Sequence, residues 1–218
     1  MSVAATPVKP RLRGVLHQWG FFVSLACGAV LVATAPSSGR AIVAAAVYGA
    51  GVSALLGTST LYHRISWTPA TRRWMRRLDR SMIYVLIAAS FTPFTLLAMH
   101  GALATIVLAV VWAGAGGGVV LQLAWPDHPK WVAVGAALAI GAVSPLPLAQ
   151  LPATIGWGAV AAVIASNALY VTGALVYARE RPNPIPGIFG YHEVFHALVL
   201  AAAAIQYAVI AFVVMPLG

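Results

Sequence analysis

Five polar residues at the edges of long apolar stretches are of the types that hold metal ions and activate water. Ser59 and His63 are four residues apart, and so are His192 and His196. Residues four apart on an α-helix lie on the same face. The fifth residue, Asp79, lies between the two pairs in the sequence. Three imidazoles are a sufficient ligand set for zinc and leave a fourth position for water, as in catalytic zinc sites.

The chemistry expected of such a site is hydrolysis by a metal-bound water. Zinc lowers the pKa of a bound water to about 7 and so supplies hydroxide at neutral pH. Asp79 is predicted to orient that water and accept its proton as a general base. Ser59 is predicted to hydrogen-bond the water or the oxyanion formed at a carbonyl. We do not expect Ser59 to be a nucleophile, because no base that would activate it is evident.

The composition shows where these residues must lie. The chain has 218 residues, of which 61% are hydrophobic and 8% are charged, against about 25% charged residues in soluble domains. A helix of about 20 apolar residues spans a bilayer, and the sequence divides into seven such stretches. Their approximate bounds are 15–35, 41–63, 81–99, 102–124, 131–149, 153–178 and 191–215. The predicted fold is all-α, a polytopic membrane protein with a seven-transmembrane-helix bundle.

The distribution of basic residues predicts the orientation, because cytoplasmic loops hold the excess of Lys and Arg. With the N-terminus inside, twelve of the thirteen Lys and Arg fall on the cytoplasmic side, and only Arg40 falls outside. We therefore predict a cytoplasmic N-terminal segment, residues 1–14, and one transmembrane domain, residues 15–218, with its C-terminus outside. The expected location is the plasma (inner) membrane, as a multi-pass protein.

The same rule accounts for the six arginines from Arg64 to Arg80, so no nucleic-acid partner is expected. Membrane lipids are the predicted partners. A further hypothesis is that these arginines gather anionic lipids near the pocket. The sequence does not indicate an oligomeric state.

The predicted orientation brings the five polar residues to one membrane depth. The second span ends inside with Ser59 and His63, the third begins inside at Asp79, and the seventh begins inside with His192 and His196. A pocket formed there would open at the level of the lipid headgroups. Its expected carbonyl substrates are lipid esters or amides.

Each residue also has a simpler interpretation. Asp79 just before a helix is a natural N-cap, and Ser59 is a small residue that lets helices approach. A single histidine such as His63 is more often an interfacial polar group than a ligand. Two histidines at helical spacing are harder to explain without a metal. Taken together at one depth, the five residues favour a site.

The remaining histidines are not expected to be ligands. His17, at the cytoplasmic start of the first span, could approach the site but is expected to mark the headgroup boundary. His100 is expected outside and His128 in a turn. Glu193 is about 100° around the helix from His192. It is expected to face headgroups or Arg64 rather than the metal.

Several residues inside the spans have expected structural roles. Gly114 and Gly118 have the spacing of close helix packing within one chain. Pro93 is expected to kink the third span. Asn167 and Tyr170 are expected to line a cavity or to tie helices together.

Three motifs carry a resemblance to a known family. In order they are Ser59-x-x-x-His63; Leu78-Asp79-Arg80-Ser81 with Ile83-Tyr84 and Thr92-Pro93-Phe94; and Phe189-Gly190-Tyr191-His192-Glu193-Val194-Phe195-His196. The chain resembles the hemolysin III family, the bacterial branch of the progestin and adipoQ receptor family, which is related to the alkaline ceramidases.

The resemblance implies a seven-helix bundle with zinc held by His63, His192 and His196, and with Ser59 and Asp79 near the metal-bound water. It also implies hydrolysis of a lipid ester or amide, although the family is named for a cell-lysis activity.

Three functions follow as hypotheses. The first is a zinc-dependent, ceramidase-like hydrolase of a lipid ester or amide. The second is a receptor-like or membrane-homeostasis protein in which zinc is structural. The third is a cytolytic, pore-forming protein, against which no span has the charged stripe of a water-filled pore. If Asp79 were itself a ligand beside two histidines, the metal would instead be non-haem iron.

Overall fold

Seven helices make up the fold. The structure is a computed structural model and describes residues 10–218; residues 1–9 of the predicted cytoplasmic segment lie outside the described residues. The helices are α1 (Val15–Ala33), α2 (Gly39–Arg64), α3 (Pro69–Pro93), α4 (Gly101–Ala124), α5 (Lys130–Gly141), α6 (Leu151–Arg179) and α7 (Tyr191–Val209). With short extensions of α3, α5 and α7, all seven are long and apolar enough to cross a membrane. The all-α, seven-helix prediction is confirmed.

The third helix begins earlier than predicted. It starts at Pro69 rather than near residue 81, so most of the expected connection from Arg64 to Arg80 is helical. Proline suits the first turn of a helix, and the Thr68 hydroxyl caps it by accepting a hydrogen bond from the Thr71 N–H at 3.3 Å. Hydropathy detects only the apolar part of such a helix. The N-cap interpretation of Asp79 is therefore wrong, because Asp79 lies well inside α3.

Proline and wider turns shape the other end of the bundle. The α-helical part of α3 ends at Pro93 and continues as a π-helical turn, Phe94–Ala98. Proline removes one backbone donor, and a π turn accommodates this loss. A second π-helical turn, Ile210–Val214, follows α7, and a short 3₁₀ turn, Met215–Leu217, ends the chain.

The first and last helices are neighbours, which matters for the site. Successive helices pack side by side along most of the chain, and α1 also contacts α7. Of the seven spans, the one containing α3 is the most enclosed by the others.

Glycines allow the close helix packing that their spacing predicted. A Cβ at Gly118 would lie 2.4 Å from the Tyr84 ring, and one at Gly114 would lie 2.9 Å from Ile140. Both contacts are within one chain, as predicted.

Candidate metal centre

Three histidines from two helices converge at one end of the bundle. His63 is in the last turn of α2, and His192 and His196 are in the first two turns of α7. One candidate ligand atom from each lies within 4.8 Å of the others. The Nε2 atoms of His63 and His192 are 3.1 Å apart. Two imidazole nitrogens bound tetrahedrally to one zinc ion would be about 3.3 Å apart, so this separation suits a shared ion.

Burial and hydrogen bonding also suit a bound cation. His63 and His196 are buried, and His192 is half-buried. Within residues 10–218, the Nδ1 atom of His196 is enclosed and has no hydrogen-bond partner. Leaving such a nitrogen unsatisfied costs roughly 1–3 kcal/mol. The three residues therefore fit a metal ion, and imidazole is a ligand suited to zinc, copper, iron and nickel.

The other two predicted residues lie beside the histidines. One Asp79 carboxylate oxygen, Oδ2, is 3.8 Å from His63 Nε2, and 17% of the Asp79 side chain is exposed. Ser59 is buried one turn before His63 on α2, and its hydroxyl lies beside the Asp79 carboxyl group. The structure thus brings all five residues singled out in the sequence to one place.

His17 belongs to this cluster, a position that the sequence indicated only as the alternative to the headgroup boundary. Its ring is stacked on that of His196, with centroids 3.6 Å apart and ring planes at 13°. Its Nδ1 atom is 2.8 Å from Ser59 Oγ. The expected position at the headgroup boundary is wrong, because the contact between α1 and α7 buries His17 to 2% exposure. His17 is not one of the three histidines whose nitrogen atoms lie close enough to bind one metal ion.

Glu193 does not face the headgroups or Arg64. It is completely buried and forms an ion pair with Arg13, which lies two residues before α1. Its carboxylate also accepts a hydrogen bond from the Gly190 N–H at 2.8 Å. A buried carboxylate needs a cation and hydrogen bonds to offset its desolvation. Arg64 instead donates to Gln18 Oε1 at 3.0 Å.

The backbone beside Arg13 holds the beginnings of α1 and α7 together. The N–H groups of Arg11 and Leu12 donate to the carbonyl oxygens of Gly187 and Ile188, at 3.0 and 3.2 Å. Together with the ion pair, these bonds place His17 against His196.

The remaining two histidines are elsewhere. His128 lies in the turn between α4 and α5, as predicted, with its Nε2 atom 3.0 Å from Gln122 Oε1. His100 is exposed immediately before α4.

A cavity of about 580 Å³ extends from the three histidines into the bundle. Besides the site residues, its lining is mainly apolar and includes Leu55, Ile83, Ile87, Phe91, Leu138 and Val199. On α3 the lining runs from Arg76 to Phe91, and the part from Asp79 to Phe91 is about 18 Å long at 1.5 Å per residue. Asn167 and Tyr170 also face it, so their cavity-lining interpretation is confirmed.

A second cavity adjoins the same end of the bundle. It measures about 810 Å³ and includes loop residues such as Ser66, Trp67 and Asn183 in its lining. His63 and Arg13 border both cavities. His63 therefore lies between the loop-lined cavity and the long apolar one, whereas His192 and His196 border only the apolar cavity.

Comparison with known proteins agrees with this arrangement. A family profile described as haemolysin-III related matches residues 5–207. The chain belongs to this family. It is 28% identical to Hemolysin-3 of Bacillus cereus over 93% of this chain and 90% of the relative. It is 27% identical to the Hemolysin-3 homolog of Bacillus subtilis over 91% of each chain.

The family extends beyond bacteria. The human monocyte to macrophage differentiation factor, a progestin and adipoQ receptor family protein, is 28% identical over 74% of this chain and 66% of its own length. The family and the seven apolar helices together identify a multi-pass membrane protein.

The acidic residues of this haemolysin-III related protein are few enough to account for individually. The sequence has four Asp and Glu residues. Three form ion pairs with Arg or Lys: Glu193 with Arg13, Asp127 with Arg76, and Glu180 with Lys130. In the part of the chain that the structure describes, the fourth, Asp79, has only His63 within ion-pair distance. Among the described residues, Asp79 is thus a carboxylate beside the three histidines that no Arg or Lys neutralises.

Proposed function

We propose that this protein is a zinc-dependent hydrolase of a lipid ester or amide. The observation that carries the proposal is the position of three convergent histidines at the end of a long apolar cavity, beside a carboxylate that has no Arg or Lys ion-pair partner among residues 10–218. Chemistry at the cavity end can reach the carbonyl of a lipid whose acyl chain occupies the apolar part.

The metal is assigned from its ligand set. His63, His192 and His196 would hold zinc, since three imidazoles leave one position open for a reactant. When bound, zinc polarises a carbonyl oxygen and makes water acidic enough to supply hydroxide at neutral pH.

Asp79 is the proposed general base. It is close to His63 and has no Arg or Lys ion-pair partner among residues 10–218. Because the other three carboxylates are neutralised by cations, Asp79 is the group able to accept a proton from water. Ser59, buried beside it, supplies a hydroxyl that orients this carboxylate and the reacting groups.

The two cavities suggest how a lipid would bind. The apolar cavity suits an acyl chain, because burying it removes apolar surface from water. The loop-lined cavity on the other side of His63 suits the polar headgroup. The ester or amide bond would then lie between them, at the metal centre.

The site is proposed to face the cytoplasm from the plasma membrane. Lys and Arg are concentrated at the end of the bundle that carries the histidines, and such residues mark the cytoplasmic side. Alkaline phosphatase fused after Gly218 should be active, because a C-terminus outside places it in the periplasm or medium. An inactive alkaline phosphatase fusion, together with a fluorescent green fluorescent protein fusion at the same position, would contradict this orientation.

The function can be tested with purified protein and a mixed panel of lipid amides and esters, including ceramides and phospholipids. Mass spectrometry should detect a released fatty acid from the wild type. Asp79→Asn should abolish this release while largely keeping the bound zinc. If wild type releases no fatty acid from any member of the panel, the hydrolase proposal fails.

The same variant separates hydrolysis from a structural role of zinc. A receptor-like or homeostatic protein braced by zinc would keep its cellular function in Asp79→Asn. A pore-forming protein would release dye from liposomes whether or not zinc is removed.

A further inference from the structure

We infer that His17 is a positioning residue of the metal centre, with one role for its ring face and another for its Nδ1 atom. Both roles rest on the zinc site of the proposed function, and the role of Nδ1 rests on its hydrolytic activity as well. His17 is 2% exposed and reaches two members of the site at once, Ser59 through a hydrogen bond and His196 through ring stacking.

The hydrogen bond determines where the Ser59 hydroxyl points. A hydroxyl has one hydrogen to donate, and an ionised carboxylate can only accept. Ser59 Oγ lies beside Asp79 and 2.8 Å from His17 Nδ1. The consistent assignment is that His17 Nδ1–H donates to Ser59 and the Ser59 hydroxyl is directed to Asp79. His17 therefore holds the orientation of the proposed general base through Ser59.

The ring face supports a metal ligand. The rings of His17 and His196 are nearly parallel and 3.6 Å apart, so the His196 imidazole cannot rotate without losing this contact. Groups that orient metal ligands typically change metal affinity or activity 10–100-fold when they are removed. His17 lies on α1, whereas His196, on which it stacks, and the proposed ligand His192 lie on α7. The support for His196 therefore comes from a different helix.

Two substitutions separate these roles. His17→Phe keeps a flat ring against His196 but cannot bond Ser59. His17→Asn places an amide near the position of Nδ1, so it keeps a hydrogen bond to Ser59 but loses the ring. His128→Phe is the matched control, because His128 is a buried histidine outside the cluster.

The metal arm of the experiment uses Zn²⁺ and Co²⁺ with full-length protein in detergent. Chelator competition gives the affinity, and the visible spectrum of bound Co²⁺ reports the ligand geometry. We expect His17→Phe and His128→Phe to bind Zn²⁺ within about 3-fold of wild type, and His17→Asn to bind it about 10-fold more weakly. Equal affinities for His17→Asn and wild type would overturn the role of the ring.

The kinetic arm uses the lipid that wild type hydrolyses, at saturating Zn²⁺. His17→Phe should lower kcat about 10–100-fold with little change in KM, and His17→Asn should restore most of it. In a Ser59→Ala background, His17→Phe should have no further effect on kcat. Both substitutions break the same chain of hydrogen bonds, from His17 through Ser59 to Asp79. Additive losses, or an unchanged kcat in His17→Phe, would overturn the role of Nδ1.

The two proposals can fail separately. If wild type binds zinc but hydrolyses no lipid, the hydrolase proposal fails and the metal arm alone decides the role of His17. If wild type hydrolyses lipid and all His17 variants keep both affinity and kcat, the His17 proposal fails and the hydrolase proposal stands.

Discussion

Gly14 lies directly against His63. A Cβ at position 14 would be 2.6 Å from the His63 Cβ, and Gly14 has a φ of +82° just before α1. Glycine adopts this backbone conformation without the cost that other residues incur. The beginning of α1 thus packs on a proposed metal ligand through a position that has no room for a side chain.

The substitution Gly14→Ala should therefore weaken zinc binding. The added methyl group must displace His63, and we expect a loss of about 10–100-fold in affinity, the size found when groups that orient metal ligands are removed. Chelator competition measures this change. Gly101→Ala is a matched control, because Gly101 has a φ of +65° and nothing within 4 Å of an added Cβ. Equal zinc affinities for the two variants would show that the contact with His63 is unimportant.

Loss of the Glu193 charge should destabilise the bundle. In Glu193→Gln, Arg13 would keep its charge with only 19% of its side chain exposed. Removing one partner of a buried ion pair costs about 3–5 kcal/mol, and the partial exposure of Arg13 favours the lower value. Thermal unfolding in detergent should show a clear fall in Tm.

The comparison for this prediction is Glu180→Gln. Glu180 pairs with Lys130 but is 56% exposed, so its loss should cost about 0–1 kcal/mol. Similar Tm values for the two glutamine variants would contradict the structural role of Glu193.

The candidate metal centre was predictable from sequence to the extent that its residues follow local patterns. His192 and His196 share one helix face, and charge asymmetry placed His63 and Asp79 at the same depth. The contacts of His17 and Glu193 depend on the packing of α1 against α7, which no local period encodes. The start of α3 at Pro69 was hidden because arginines interrupt its hydropathy without interrupting the helix.

Gly118→Ala should disturb the wall of the apolar cavity. The new methyl group would meet the Tyr84 ring, which is buried and whose hydroxyl donates to the Ala133 carbonyl at 3.2 Å. Overpacking of this kind costs about 1–3 kcal/mol. In Gly117→Ala, nothing lies within 4 Å of the added Cβ, and replacing glycine inside a helix should stabilise it by about 0.5–1 kcal/mol. Opposite changes in Tm are expected, and a rise in both would refute the predicted clash.

Blocking the far end of the cavity should change chain-length preference. Ala142 lines the cavity just after α5, so Ala142→Trp would shorten the space available to an acyl chain. Hydrolysis of long-chain lipids should fall at least about 10-fold relative to short-chain lipids, because a long chain would have to stay partly in water. Ala139→Trp, at an exposed position in the last turn of α5, should leave this preference unchanged. An equal loss for both chain lengths in Ala142→Trp would argue against acyl binding in the cavity.

The central claim is that zinc held by the three histidines drives lipid hydrolysis. The most direct measurement is fatty-acid release by chelator-stripped protein during titration with Zn²⁺, beside the His196→Ala variant. We predict no release without metal, a maximum at about one zinc per chain, and no recovery in His196→Ala. Undiminished release from stripped protein, or full recovery in His196→Ala, would contradict the account.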